Sequence, residues 1–293
     1  MKKKMRIKKS ILNIFRVFLF IFIIILIFIL PDKNKPLNDL LDNNLNIQEE
    51  NILNDVNIIK EKVNIEDLEY IKGLDISKFQ GKIDFQKLKD QNISFIFAKA
   101  TEGEDFKDIM FDNNLKNGKS VNILMGAYHF YRLCENGKKQ AEFFIKNVKK
   151  DLIDLPPVID LELFRNCRSK NGIDFEIKEF QDFFFSIKDN YKVKPIIYIT
   201  IDTYSEFRKL FTILNNNDYY LFVRITDRDI MSRDYTNIFG LNDEEEIRKI
   251  FEKGWTFWQA LDTYKIEGIE GEVDLDYFNG SFEELKNMYD IDL

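Results

Sequence analysis

Two carboxylates lie two residues apart in the segment 156–162, Pro-Pro-Val-Ile-Asp-Leu-Glu, whose apolar run predicts a buried strand. Asp160 and Glu162 would then point to the same side of that strand, with Cα atoms about 6.5–7 Å apart. Two carboxylates this close raise each other's pKa, so one of them can keep a proton near neutral pH and act as a general acid. Cleavage of a glycosidic bond uses such a pair, because one group protonates the leaving oxygen and the other faces the developing positive charge. Taken alone, the pattern also fits two ordinary acidic residues at a solvated strand end.

Other polar residues fall at or near the ends of further predicted strands. They are Asp75 in the first strand, Glu102 after the second, His129 in the third, Trp258 and Gln259 in the seventh, and Asp274 in the eighth. If the strands close into a barrel, the first and eighth strands are neighbours and functional groups collect at one mouth. Asp75 and Asp274 would then join Asp160 and Glu162 in a cluster of four acids.

Three residues near this mouth are candidates for substrate contacts. His129, the only histidine of the chain, would hold a carboxylate or a sugar hydroxyl, or else it is a hydrogen-bonded core residue. Tyr128 and Trp258 are expected to stack on sugar faces. Cys134 and Cys167 follow the third and fourth predicted strands, which should be adjacent, so we expect a disulfide at the rim if the protein is extracellular. Two free thiols are the alternative.

The elements that would position these residues alternate along the chain from residue 70 to residue 293. Eight apolar strand-like runs, most of them separated by amphipathic helical stretches, predict an α/β fold, namely an irregular TIM-like (β/α) barrel with parallel strands. An open doubly wound sheet is the structural alternative, but the chain has no Gly-rich phosphate turn after its first strand.

Composition and charge exclude several classes of protein. Of the 293 residues, 45% are hydrophobic and 32% are charged, which is typical of a globular domain. The net charge is −7, although residues 1–16 are basic and contain no acidic residue. The acidic remainder argues against nucleic acid as a partner. With one histidine and neither an HExxH nor a CxxC motif, the sequence excludes a His-rich metal site, and a carboxylate-only metal site is open but not indicated.

The amino terminus predicts a membrane segment. Residues 1–10 form a basic cytoplasmic tail, residues 11–30 are long and apolar enough for a transmembrane signal anchor, and residues 31–69 would be a linker. The barrel at 70–293 would then be extracytoplasmic. A cleaved signal peptide and a secreted protein are the alternative, but no small-residue cleavage site follows the apolar run.

An ordered series of motifs from Gly73 to the carboxyl terminus resembles the glycoside hydrolase family 25 lysozymes, which are 1,4-β-N-acetylmuramidases. The motifs are GLDISKFQG, FAKATEG, GAYHFY, QAEFF, LPPVIDLE, PIIYIT, FWQ and GIEGEVDLDYFNG. The sequence departs from the family pattern at three positions: Phe85 and Phe222 replace the usual tryptophans, and Ala260 replaces a usual aromatic residue. These changes leave the four acids intact.

The resemblance implies hydrolysis of peptidoglycan between N-acetylmuramic acid and N-acetylglucosamine, without a cofactor. Glu162 would be the acid/base, and Asp160 would stabilise the oxocarbenium-like transition state by direct attack or by orienting the N-acetyl group of the substrate. Asp75 and Asp274 would hold substrate and tune that pair. The substrate-binding residues would be Glu102, Tyr128, His129, Tyr198, Trp258 and Gln259. The alternatives are a non-catalytic glycan-binding barrel and a glycosidase that acts on another N-acetylhexosamine polymer.

Overall fold

The computed structural model describes residues 70–163, 166–168, 170–226 and 254–289, and a closed barrel of eight strands is the core of this part of the chain. The strands are β1 Ile71–Ile76, β2 Phe95–Glu102, β3 Phe106–Lys107, β4 Leu124–Phe130, β5 Val158–Leu161, β6 Ile196–Thr200, β7 Tyr220–Arg224, β8 Phe257–Tyr264 and β9 Val273–Phe278. Around the barrel the order is β1, β2, β4, β5, β6, β7, β8 and β9, and β9 pairs again with β1. The short strand β3 pairs only with β2. The predicted α/β barrel is therefore confirmed.

The last strand departs from the expectation of a parallel barrel. β9 runs antiparallel to both of its neighbours, β8 and β1. The physical reason is the short connection at 265–272, since a parallel return needs a crossover of a dozen or more residues. As a consequence, the beginning of β9 lies at the same mouth of the barrel as the carboxyl ends of the parallel strands.

Helices surround the barrel. They are α1 Phe85–Asp90, α2 Phe111–Ser120, α3 Gly137–Asn147, α4 Ile173–Tyr191, α5 Ile201–Glu206, α6 Arg208–Ile213 and α7 Phe282–Lys286. The longest, α4, buries a stripe that includes Ile177, Phe180, Phe184 and Ile187, which is the spacing of an amphipathic helix on a sheet.

Aromatic side chains fill the barrel below the mouth. Phe257 lies 5.4 Å from Phe95 and 5.2 Å from Phe97, measured between ring centroids, and Phe222 and Phe278 pack against the same ring. Gly73 leaves room for this packing, because a Cβ there would come within 2.3 Å of the Phe95 ring. The barrel therefore has a solid apolar floor, and polar chemistry is confined to its open end.

The amino-terminal predictions fall on other residues. The basic tail at 1–10, the signal anchor at 11–30 and the linker at 31–69 all lie outside the described residues. In the part of the chain that the structure describes, no helix is both long and apolar enough to span a bilayer.

Candidate active site

One wall of the site is a pair of aspartates on adjacent strands. Asp75 on β1 lies directly opposite Asp274 on β9, and their carboxyl groups share a hydrogen bond. Burial and then the charge of Asp274 raise the pKa of Asp75 well above its usual range. Burial also raises the pKa of Asp274, to about 6. Asp75 therefore keeps its proton and donates it to Asp274.

A glutamine and a tyrosine orient this aspartate pair. The Tyr198 hydroxyl donates to Gln259 Oε1 at 2.7 Å, and Gln259 Nε2 donates to Asp75 Oδ2 at 3.0 Å. The Gln259 side chain also hydrogen-bonds Asp274. Because the tyrosine occupies the amide oxygen, the amide nitrogen is directed at the carboxylates, and the two aspartates are held in one arrangement.

The second wall is the strand end that carries Asp160 and Glu162. Leu161 between them is fully buried on the other side of the sheet, so the two carboxylates share the mouth side, as their spacing predicted. Asp160 Oδ1 is buried and has no hydrogen-bond partner among the described residues. Burial and then the charge of Glu162 raise the pKa of Asp160 well above its usual range. The pair therefore holds a proton at a pH where an isolated carboxyl group would have lost it.

Asp75 on one side and the Asp160–Glu162 pair on the other border a cleft that opens to solvent. Its lining is formed by Asp75, Phe97, Tyr128, Val158, Asp160, Glu162, Tyr198 and Phe222. Carboxylates thus lie on the sides, and apolar and aromatic side chains form the floor. Sugar rings present both apolar faces and hydroxyl groups, and this combination of surfaces suits them.

Two cations stand at opposite sides of this mouth, since β2 and β7 are four strands apart around the barrel. Lys99 Nζ lies 2.6 Å from Glu102 Oε2 and lowers the pKa of Asp160 against the larger effects of burial and Glu162. Arg224 pairs with Asp262 at 2.9 Å. The acidic cluster is therefore bracketed by positive charge, which limits its self-repulsion.

Comparisons with known proteins identify the family of the chain. Residues 74–269 match the family model described as glycosyl hydrolases family 25. The chain belongs to this family. The expectation from the sequence motifs is thus confirmed.

Relatives within family 25 include proteins named for lysozyme activity. Lysozyme M1 of Streptomyces globisporus is 28% identical over 215 residues, which cover 72% of this chain and 68% of that protein. The structure of a family 25 glycosyl hydrolase from Bacillus anthracis matches at 32% identity with a TM-score of 0.61, covering 75% of this chain and 94% of that one. A bacterial lysozyme from Streptomyces coelicolor matches at 27% identity with a TM-score of 0.61, covering 76% and 98%.

The family 25 match ends before β9, so Asp274 lies beyond it. Pairing of β9 with β1 nevertheless brings Asp274 against Asp75. Asp276, which sequence reasoning missed, lies two residues further on the same side of β9 and is fully buried. Both of its carboxyl oxygens lack a hydrogen-bond partner in the described part of the chain. The alternation rule that identified Asp160 and Glu162 would have found it.

Two predicted substrate contacts lie on the wrong side of their strands. His129 is fully buried outside the barrel wall, where its ring contacts Thr101 Oγ1 at 2.7 Å and Gln140 Oε1 at 3.2 Å and stacks on Phe183. Burial lowers the pKa of His129 to about 3, so the imidazole is neutral. His129 is therefore a hydrogen-bonded core residue, which was the alternative to a substrate contact in the sequence analysis.

Trp258 likewise packs away from the cleft. Its ring contacts Trp255 and Tyr277, and its Nε1 donates to the Ile225 carbonyl at 3.0 Å. The physical reason is strand alternation: since Gln259 faces the interior, the residue before it must face outward. The same rule separates His129 from Tyr128, which does line the cleft.

The remaining predicted residues occupy the rim. Glu102 is ion-paired with Lys99 and with Arg132 and is not part of the cleft lining. These pairs lower the pKa of Glu102 despite its partial burial. Cys134 and Cys167 are joined in a disulfide, with Cα atoms 6.1 Å apart. Lys99, Arg224 and Asp262 were not anticipated, because their position at the mouth depends on the register of three different strands.

Proposed function

We propose that this family 25 protein is a muramidase that cleaves the β-1,4 bond between N-acetylmuramic acid and N-acetylglucosamine in peptidoglycan. The observation that carries the proposal is the Asp160–Glu162 pair at the wall of an open cleft that Asp75 also lines. A glycosidase needs one protonated and one ionised carboxyl group at the bond that it cleaves.

Glu162 is the residue that we assign as the proton donor. It is half-buried and lies just past the end of β5, whereas Asp160 lies inside the strand. As the glycosidic bond breaks, a proton moves from Glu162 to the leaving oxygen. The pair then carries more negative charge, and Asp160 faces the positive charge that develops on the sugar. Asp160 acts either as the attacking group or through the N-acetyl group of the substrate.

Asp75 and Tyr198 line the opposing wall, and Asp274 and Gln259, which are not among the lining residues, hydrogen-bond to Asp75. Because Asp75 remains protonated, this wall adds less negative charge to the site than two free carboxylates would. Gln259 and Tyr198 hold the wall rigid, so its oxygen atoms form fixed partners for sugar hydroxyl and amide groups. Tyr128, which pairs with Val158 on the neighbouring strand, supplies an aromatic edge to the cleft.

The direct test is mass spectrometry of fragments released from purified peptidoglycan. We expect new reducing ends on N-acetylmuramic acid, whereas reducing ends on N-acetylglucosamine would point to a different glycosidase. Glu162→Gln should bind the glycan and lose about 10²–10⁴ in kcat, because an amide cannot donate the proton. Glu142→Gln on the exposed surface of α3 is the matched control and should keep full activity. A Glu162→Gln enzyme with normal turnover would refute the assignment, and glycan binding without hydrolysis by the wild type would identify a binding barrel.

We also propose that residues 11–30 anchor the protein in the membrane with the barrel outside. The support is the apolar run after a basic start, together with homology to proteins named as lysozymes, whose substrate lies outside the cell membrane. Cell fractionation tests it: full-length protein in the membrane pellet supports the anchor, and a shortened protein in the medium supports secretion.

A further inference from the structure

The proposed proton donor Glu162 lies just past the end of a barrel strand. β5 ends at Leu161, whose partner on β6 is Ile199, and Glu162 is the next residue. Proton transfer requires a donor placed to within a fraction of an ångström. Contacts that the chain makes directly after β5 therefore bear on the position of Glu162.

Asn166, four residues further along, makes the required contacts. Its Nδ2 donates to the Glu162 carbonyl at 2.9 Å and to the Tyr131 carbonyl at 2.8 Å. Its Oδ1 accepts from the backbone N–H of Leu133 at 2.9 Å and of Cys167 at 2.9 Å. All four hydrogen-bonding positions of the amide are used, which is the full capacity of an asparagine side chain.

The same two loops are joined covalently. The disulfide links Cys134, in the loop after β4, to Cys167, the residue that follows Asn166. Cys134 has a positive φ of 66°, a conformation that is unfavourable for a residue with a side chain. Its backbone N–H donates to Glu176 Oε2 of α4 at 3.0 Å, which helps to hold that conformation. The loop after β4 is therefore a fixed support for Asn166 and Cys167.

We infer that Asn166 and the Cys134–Cys167 disulfide, here called the loop clamp, are positioning residues for the proton donor. The inference rests on the proposed function, since it concerns the placement of Glu162. The clamp does not touch substrate. It fixes the Glu162 carbonyl against the loop that leaves the neighbouring strand, and the disulfide keeps that loop in register.

Asn166→Asp is the most direct perturbation, because the carboxylate has the size of the amide but lacks its two N–H donors. It would also place negative charge against the Glu162 and Tyr131 carbonyl oxygens. We expect kcat on peptidoglycan to fall about 10–100-fold, with KM changed less than about threefold, since the loss concerns the transition state and not glycan binding. Replacing both cysteines by serine should give the same pattern with a smaller loss.

The matched control is Asn136→Asp, in the same β4 loop. Asn136 donates from Nδ2 to Glu179 Oε2 at 3.0 Å and caps α3 through Oδ1, and among the described residues it has no hydrogen bond to Glu162 or Asn166. This variant should lose thermal stability to a similar degree while keeping kcat. Melting temperatures of both variants show whether each protein is folded at the assay temperature.

A substrate with an activated leaving group separates positioning from general damage. A peptidoglycan fragment that carries 2,4-dinitrophenol on the anomeric carbon of N-acetylmuramic acid needs no proton to leave. In the first turnover, Glu162→Gln and Asn166→Asp should both release the phenolate within about threefold of the wild-type rate. The defect of Asn166→Asp on peptidoglycan should therefore vanish on this substrate.

Equal losses of kcat for Asn166→Asp and Asn136→Asp would overturn the inference, and so would an undiminished loss on the activated substrate. If Asn166→Asp does not fold, the variant with Cys134→Ser and Cys167→Ser is compared with Asn136→Asp on the same two substrates. Failure of the proposed function is distinguishable, because Glu162→Gln would then have normal turnover on peptidoglycan.

Discussion

Replacing Asp274 by asparagine should stabilise the protein, and more so as the pH rises. Burial raises the pKa of Asp274 from its ordinary value of 3.8 to about 6, so the folded state binds this proton more tightly than the unfolded chain does. The stabilising contribution is complete below pH 3.8 and is lost as the pH rises through 6. A shift of about two units corresponds to roughly 3 kcal/mol at about 1.36 kcal/mol per unit. Partial solvent exposure of Asp274 reduces the expected gain to about 1.5–3 kcal/mol.

Asparagine suits this experiment because its Oδ1 can still accept the hydrogen bond from Asp75, while the side chain never ionises. Urea unfolding of both proteins at pH 4 and pH 8 gives the free energies of unfolding. We expect nearly equal stabilities at pH 4 and a more stable variant at pH 8. The surface variant Asp151→Asn should differ from wild type by less than about 0.5 kcal/mol at either pH. An unchanged difference between the two pH values, or a less stable variant at pH 8, would refute the reasoning.

Three further outcomes are expected. Asp160→Asn should lower turnover on peptidoglycan by about 10²–10³, because a neutral amide cannot stabilise the positive charge that develops on the sugar; turnover close to that of the wild type would contradict the role of Asp160. His129→Gln and Trp258→Phe should each lower the melting temperature and reduce the free energy of unfolding by about 1–3 kcal/mol. KM should not change, since both side chains face away from the cleft. A large rise in KM would show that they contact the substrate. Added salt should raise the rate of hydrolysis of an anionic cell wall, because it screens the repulsion between the wall and a protein whose net charge is −7. A strong loss of rate would indicate instead that attraction between the wall and basic groups on the protein surface dominates.

Much of the site could be predicted from the sequence because it depends on local rules. Two residues on one strand share a face when they are two positions apart, so Asp160 and Glu162 could be paired before any fold was known. Apolar runs and amphipathic helices likewise indicated the barrel, and most of these elements lie where they were expected. The same local rule excludes His129 and Tyr128 from a common face, and it does the same for Trp258 and Gln259.

Which member of each adjacent pair faces the cleft was decided by barrel closure, since absolute register depends on contacts between distant strands. The pairing of Asp75 with Asp274 exists only because a short connection turns β9 antiparallel and brings its beginning to the mouth. Lys99 and Arg224 bracket the acids because their strands lie on opposite sides of a closed ring. Asn166 became significant only when two loops met around its amide. The sequence by itself therefore determined which groups could do the chemistry, and tertiary packing decided which of them share one space.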